Sequence, residues 1–391
     1  MIEKVDRPGA ESFSPARKFG ELIRKRMEKN PNFYLFSPDE TTSNRLDEVF
    51  EVAARAWGMP KKNFDLPEAE NGKIVELLSE NTLFAVMVGH LMNGEPAMMT
   101  SYEAFFSVIM SQIVQQIKFF KQAENVAWRP KYPAVNLLST STCWRQDHNG
   151  FSHQSPVMIS ALLSIPSNKV NCLFPVDDVS SEETFDFMMK SENVVNFTTF
   201  DKNANPRWID SYHAKFLFNN GGASIYRFAS DENPEIVLTA AGDIATREAI
   251  LAREIVKKDC PELKIRFVGI NALSYNAIGI TENKLRQAVF DDYFTGDKPI
   301  IANFHGYAKT LEGILAQYTN RERLSVHGFS EEGSTTTPFE MLALNHASRF
   351  DLAADAAERI GRGDLAEKYR RKIAENHDFA VKNGVDLPEL G

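Results

Sequence analysis

Between Trp144 and Gln154 the chain reads Trp-Arg-Gln-Asp-His-Asn-Gly-Phe-Ser-His-Gln, and no folding requirement explains such a crowd of polar side chains. Imidazoles, amides, a carboxylate, a guanidinium and a hydroxyl surround Gly150, which is the composition of a polar site. The imidazoles are those of His148 and His153. The other residues able to do chemistry stand alone: Ser43 and Arg45 in Asp39-Glu40-Thr41-Thr42-Ser43-Asn44-Arg45, Glu80 in Leu78-Ser79-Glu80-Asn81, Tyr102 after Ser101, and Lys202 in Phe200-Asp201-Lys202. Taken singly, Glu80 reads as a solvated loop residue, Arg45 as a surface charge, Tyr102 as a core aromatic and each histidine as structural. Arg145 and Asp147 read as an ion pair holding the loop.

The elements that must position these residues alternate between strands and helices. Ser14-Pro15 opens a helix that Asn30-Pro31 stops, as expected of an N-cap followed by proline in the first turn. Phe33 to Phe36 and Ile74 to Leu78 read as strands, with the Ser43–Arg45 stretch in the loop after the first and Ser79-Glu80-Asn81 as the exit loop of the second. A helix from Thr82 to Met92 is apolar almost all round. Met98 to Thr100 leads to Tyr102 and a helix from Glu103 to about Lys121, whose Phe106, Ile109, Ile113, Ile117 and Phe120 keep helical spacing. Val135 to Leu138 is the strand before the polar segment. Val170 to Pro175 and Val194 to Phe200 are strands flanking a helix from Glu182 to Lys190.

Between about Asn203 and Pro234 the periodicity lapses, and the domain boundary is placed there, giving units of 1–220 and 221–391. The second unit reads as strands Glu235 to Thr239, Lys264 to Ile270 and Pro299 to Phe304, with helices Thr246 to Lys258 and Glu282 to Phe290 and a helical tail from Leu352 to Val381. This alternation implies an α/β fold of two doubly wound, mainly parallel sheets covered on both faces. In such sheets ligands sit beyond the carboxyl ends of the strands, where every candidate residue falls.

Composition narrows the function. The chain has 391 residues and a formal net charge of -9, too long for one core and too acidic to favour nucleic acid or an anionic membrane as a partner. Cys143, Cys172 and Cys260 form no CxxC pair, so reduced cytoplasmic thiols are expected rather than disulfides or zinc. No stretch approaches the roughly 20 apolar residues of a membrane span. The glycine-rich dinucleotide and phosphate loops and the HExxH zinc motif are absent.

The run from Gln146 to Gln154 resembles a segment of the phosphoketolases, where Gln-Asp-His-Asn-Gly-Phe-Ser-His-Gln lines the pocket in which thiamine diphosphate meets a sugar phosphate. The Ser43–Arg45 stretch is similar to that family's Asp-Glu-Thr-Ala-Ser-Asn-Arg-Leu, and Ser101-Tyr102-Glu103 to its Ser-Tyr-Glu-Ser-Phe. Glu331-Glu332-Gly333-Ser334-Thr335-Thr336-Thr337-Pro338-Phe339 and Phe304-His305-Gly306-Tyr307 resemble further family motifs and are read as domain-packing and subunit-contact elements, with His305 a candidate site residue. Departures are His327-Gly328-Phe329-Ser330, which replaces two cations of the family pattern, and Ala308-Lys309 in place of Pro-Trp.

The resemblance implies roles. Glu80 would bind N1′ of the cofactor's aminopyrimidine and, enclosed by the ring, share a proton with it; Tyr102 would lie beside cofactor and substrate. Gln146, Asn149 and His153 would face the sugar hydroxyls, with His153 also catalytic. His148, Ser43, Arg45 and Lys202 would serve the substrate phosphate, although Asp201 beside Lys202 would weaken an anion site. The implied units are a pyrimidine-binding domain with a short lead-in and a transketolase-like C-terminal domain. The implied reaction cleaves xylulose 5-phosphate or fructose 6-phosphate with inorganic phosphate to acetyl phosphate and an aldose phosphate.

The family's Gly-Asp-Gly, which holds Mg²⁺ and diphosphate, does not occur here, and no metal ligand is expected in this chain. The resemblance therefore suggests one subunit of a split, hetero-oligomeric cytoplasmic enzyme, active only with a partner that holds the diphosphate and Mg²⁺, or else an expressed fragment of the longer family protein. The alternatives are a transketolase-like two-carbon transferase subunit and a non-catalytic regulatory or scaffold subunit.

Overall fold

A computed structural model describes residues 5, 7–38, 40–60, 62–64 and 68–390; Asp39 of the Ser43–Arg45 stretch and the lead-in residues 1–4 and 6 lie outside them. The first sheet is built on six strands, β1 (Tyr34–Ser37), β2 (Ile74–Glu76), β3 (Ala97–Tyr102), β4 (Val135–Thr140), β5 (Val170–Leu173) and β6 (Val195–Thr199). They lie side by side in the order β5-β6-β4-β3-β1-β2, all parallel. Every residue of β4, β5 and β6 is buried, as a parallel sheet covered on both faces requires. Short parallel strands Arg55–Ala56 and Glu68–Ala69 extend the β2 edge.

The second sheet holds β7 (Ala223–Ile225), β8 (Ile236–Ala241), β9 (Ile265–Ile270), β10 (Ile300–Tyr307) and β11 (Leu324–Phe329), in the order β7-β9-β8-β10-β11. Only β7 runs antiparallel to its neighbour. The chain is thus an α/β fold with two mainly parallel sheets. One apolar cluster includes Leu137 and Phe197 of the first sheet together with Val237, Ile300 and Phe304 of the second, and the Phe174 and Phe304 rings meet at 5.8 Å. The three cysteines are buried and free. Among the described residues no helix is long and apolar enough to cross a membrane.

Several elements differ from the sequence expectation. The strand expected from Ile74 to Leu78 stops at Glu76, leaving Leu77 and Leu78 46% and 80% exposed. Ser79 then caps a helix, accepting from the Thr82 backbone N–H at 3.3 Å, so Glu80 is the first residue of helix Glu80–Met92 and not part of a loop; a serine hydroxyl satisfying an otherwise unpaired amide is a strong local start signal. Glu103–Ile109 forms a 3-10 turn before the α-helix Met110–Ala123. The helix expected from Glu282 begins only at Gln287. Ahead of it, strands Ala272–Ser274, Ala277–Ile280 and Asn283–Lys284 form an antiparallel ribbon on the β5 edge of the first sheet. The tail is two helices, Arg349–Arg359 and Gly363–Asn383, separated at Gly361, whose φ of 75° a helix does not allow. Helix Ser211–Asn219 lies within the stretch that carries no periodicity, started by Asp210, which caps it through the His213 N–H.

Candidate active site

Because the strands of the first sheet are parallel, their carboxyl ends share one edge, and each candidate segment leaves from it. Strand β1 leads to Ser43 and Arg45, β2 to Glu80, β3 ends in Tyr102, β4 feeds the polar loop and β6 precedes Lys202. These five strands are consecutive in the sheet, so residues far apart in sequence are gathered along one rim.

At the centre of the rim the dipeptide Ser101-Tyr102 presents two carboxylates. Ser101 Oγ donates to Glu80 Oε1 at 3.2 Å, and the Tyr102 N–H donates to Glu40 Oε2 at 3.2 Å. The Tyr102 hydroxyl donates to Ser43 Oγ at 3.2 Å. The Tyr102 ring lies nearly parallel to that of Phe105 at 6.1 Å, with Lys202 Nζ 5.2 Å from its centroid. The His153 ring sits edge-on to both, 6.1 Å from Tyr102 and 5.2 Å from Phe105. Ser14 helps fix Lys202, its Oγ donating to the Lys202 carbonyl at 2.8 Å. Glu80, Tyr102, Ser43, His153 and Lys202 are therefore brought together.

Glu40 is the carboxylate that sequence reasoning missed. Burial pushes it up to about 7, and the neighbouring Glu80 charge adds to the rise against the Tyr102 N–H. The available signal was its position three residues after the end of β1, in the stretch that also carries Ser43 and Arg45.

The polar loop folds on itself. Gln146 is fully buried; its Oε1 accepts from Asn149 Nδ2 at 2.5 Å and its carbonyl accepts from Gln154 Nε2 at 2.8 Å. Gln146 Nε2 has no hydrogen-bond partner among the described residues. Gly150 turns the loop with φ 73°, before the short helical turn Phe151–His153. His148 is exposed and lies 4.0 Å from Asp147. Arg45 is exposed with φ 62°. Neither His148 nor Arg45 has a hydrogen bond or ring contact to the other candidates among the described residues.

The expected Arg145–Asp147 pair is not formed. Arg145 Nε instead donates to Asp201 Oδ2 at 3.0 Å, where Asp201 is buried and needs a counter-charge. The acid expected to weaken an anion site at Lys202 is thereby neutralised by Arg145.

Behind the loop, His305 and Glu103 are both completely buried, with His305 Nε2 2.8 Å from Glu103 Oε1. Glu103 Oε2 accepts from the Cys143 N–H at 2.8 Å, and the His305 carbonyl accepts from Trp144 Nε1 at 2.9 Å. His305 thus packs the two sheets together and does not line the rim. The ligand atoms of Glu103, Cys143 and His305 lie within 4.8 Å of one another, and burial and the Glu103 charge push the Cys143 thiol well up, which disfavours its thiolate form. The rim fits the pyrimidine end of thiamine diphosphate, offering a hydrogen-bonded carboxylate beside aromatic faces.

Comparisons with known proteins place the chain as a whole. Residues 17–191 match the family model described as D-xylulose 5-phosphate/D-fructose 6-phosphate phosphoketolase, and residues 202–391 match the model of that family's C-terminal domain. A protein of Bradyrhizobium diazoefficiens named a probable phosphoketolase is 33% identical over 400 residues, covering 99% of this chain and 50% of the relative. The chain spans about half the length of the curated relatives it matches. The structure of Pichia stipitis transketolase with sedoheptulose 7-phosphate superposes with a TM-score of 0.71 at 13% identity, over 92% of this chain and 47% of that one. A split-gene transketolase described as an inactive beta4 tetramer superposes with a TM-score of 0.61 at 12% identity, over 90% of this chain and 100% of that one. With both family models matched in order along its length, the chain belongs to the phosphoketolase family.

Proposed function

We propose that the chain is the pyrimidine-binding and C-terminal half of a thiamine-diphosphate-dependent phosphoketolase. It would act on xylulose 5-phosphate or fructose 6-phosphate in the cytoplasm, with a partner chain that holds the diphosphate and Mg²⁺. The observation that carries the reading is the convergence of Glu80, Tyr102, Ser43, His153 and Lys202 on one strand-end rim.

Thiamine diphosphate, when bound, supplies the carbon nucleophile for the ketose carbonyl. Glu80, steadied by Ser101, holds the proton at N1′, and Tyr102 shields that contact from water. His153, edge-on to the Tyr102 and Phe105 rings, presents an imidazole to the substrate for proton transfer. Ser43, Arg45, His148 and Lys202 bind the substrate phosphate, the Arg45 guanidinium and Lys202 ammonium as charged donors to the anion. Gln146 and Asn149 bind the sugar hydroxyls, and the unpartnered Gln146 Nε2 is a donor that a small loop movement offers to one of them.

Two observations support a partner. Leu78 and Phe151 are 80% and 78% exposed, and Leu77, Val86 and Val108 are exposed too; Asn81 Nδ2 donating to the Val108 carbonyl at 2.9 Å ties these segments together beside Glu80. Apolar surface bordering a polar site is expected to be covered. The split-gene transketolase of matching extent is described as inactive as a beta4 tetramer, which favours inactivity of this half alone.

The test is to purify the chain from its native host with whatever accompanies it, and to assay the complex with each ketose phosphate, phosphate, thiamine diphosphate and Mg²⁺. Acetyl phosphate, trapped as its hydroxamate, is expected. A new ketose from an added aldehyde acceptor, with no hydroxamate, would establish two-carbon transfer instead; neither product from an intact complex would establish a non-catalytic subunit.

A further inference from the structure

The segment after helix Gly363–Asn383 turns back onto the start of helix Pro338–Leu344. After helix Gly363–Asn383, Gly384 adopts φ 70°, and the following residues lay Asp386 against the start of helix Pro338–Leu344. Asp386 Oδ1 accepts from Thr337 Oγ1 at 2.5 Å and from Asn376 Nδ2 at 3.0 Å. Its Oδ2 accepts from the Phe339 N–H at 2.8 Å. Asn376, fully buried, accepts in turn from the Leu387 N–H at 2.8 Å. Leu390 closes the turn by packing on Phe339 and Ala343. Thr337 does not cap its own helix; its hydroxyl is committed to Asp386.

Thr337 is also one end of a strap over residues 331–337. At the other end Asn345 Oδ1 accepts from the Glu332 N–H at 3.3 Å and Asn345 Nδ2 donates to the Glu332 carbonyl at 2.8 Å. Between these pins the strap grips the polar loop. The Thr336 N–H donates to the Asp147 carbonyl at 2.9 Å. Gln154 Nε2, which donates to the Gln146 carbonyl, also donates to the Ser334 carbonyl at 3.0 Å. A side chain at Gly150 would come within 3.7 Å of Thr335 Oγ1. The loop therefore has one wall from its own strand and the other from a strap whose position depends on the C-terminal turn.

We propose that Asp386 is a positioning residue: through Thr337 and the strap it holds the loop Gln146–Gln154 in the conformation seen here, so that the last turn of the chain sets the geometry of the polar wall. The importance of that wall for catalysis rests on the function proposed above; the mechanical coupling does not.

Hydrogen exchange read by mass spectrometry on the full chain tests the coupling, comparing wild type with Thr337→Val, Thr337→Ser and Asp386→Asn. Peptides carrying the Asn149, Gln154 and Thr336 amides should exchange roughly tenfold faster in Thr337→Val and Asp386→Asn, the size expected on losing a hydrogen bond to a charged acceptor. Peptides of β4 and β8 should be unchanged, and Thr337→Ser, which keeps the hydroxyl, should retain wild-type protection. Unchanged loop exchange in Thr337→Val and Asp386→Asn would overturn the proposal, as would a rise shared equally by the sheets. The measurement needs no partner or turnover, so an inactive wild-type complex would count against the function alone.

Discussion

Glu103 and His305 stand 202 positions apart and meet at 2.8 Å with no exposed surface on either. One begins the 3-10 turn after β3, and the other sits in β10, so this contact ties the two sheets together directly behind the polar loop. Burial alone would lower the imidazole's proton affinity, but attraction from Glu103, then Asp243 and Asp201, prevails and raises it above the usual 6.5. A raised value means that this stabilisation is full below 6.5 and is lost as pH rises through the folded-state value. Glu103→Gln leaves the imidazolium without its main counter-charge and should cost about 3–5 kcal/mol. In urea unfolding at pH 6 and pH 9, the gap between wild type and variant should be larger at pH 6. An equal gap at both values would show that the charge on His305 plays no part.

Glu40 titrates in the opposite sense from most carboxyls. With its value moved from 4.5 to about 7 by burial and by Glu80, it favours the folded state most while protonated, and its contribution is lost as pH rises from about 4.5 through 7. Glu40→Gln keeps an acceptor for the Tyr102 N–H and cannot ionise. It should flatten that part of the stability profile and raise stability at pH 8 by up to about 2 kcal/mol, allowing for partial exposure. Thermal unfolding of both proteins across pH 4.5–8 checks this; parallel profiles would contradict it.

Glu248 shows the reverse sign. Arg349 grips it through Nε at 2.9 Å and a terminal nitrogen at 2.8 Å, and Arg247 adds contacts at 3.2 and 3.1 Å. Burial opposes ionisation, yet the two guanidiniums hold the carboxyl down at about 2. This stabilisation is present above 4.5 and fades as pH falls toward 2. Glu248→Gln strands two largely buried cations and should cost about 3–5 kcal/mol at pH 7. Its melting temperature by circular dichroism should then change little between pH 4.5 and 3, where the wild type falls; an equal fall in both would remove Glu248 from the account.

What was legible in the sequence follows from local physics. Apolar runs between polar loops reveal buried parallel strands, and parallel strands place their exit loops on one edge, so the rim carrying Ser43, Glu80, Tyr102 and Lys202 could be read before any coordinates. What escaped depends on distant partners. Leu77 and Leu78 have the composition of a buried strand but stand exposed, past the end of β2 at Glu76. The ribbon from Ala272 to Lys284 joins the first sheet through pairing with β5, about a hundred positions earlier, and carries no local mark of that choice. Arg145 was assigned to the acid two positions away and instead reaches Asp201, 56 positions on. Glu40 and Glu103 are single carboxylates whose importance comes from burial that no short motif encodes.

The central claim turns on Glu80. Glu80→Gln retains an acceptor for Ser101 Oγ, which holds Glu80 Oε1 at 3.2 Å, and removes the carboxylate proposed to hold the N1′ proton. Measured on the native complex with xylulose 5-phosphate, phosphate, thiamine diphosphate and Mg²⁺, hydroxamate formation should fall at least about a hundredfold, the lower range for loss of a general acid–base group. The melting temperature and the copurifying partner should stay as in the wild type. Undiminished hydroxamate formation by the Glu80→Gln complex would contradict the account.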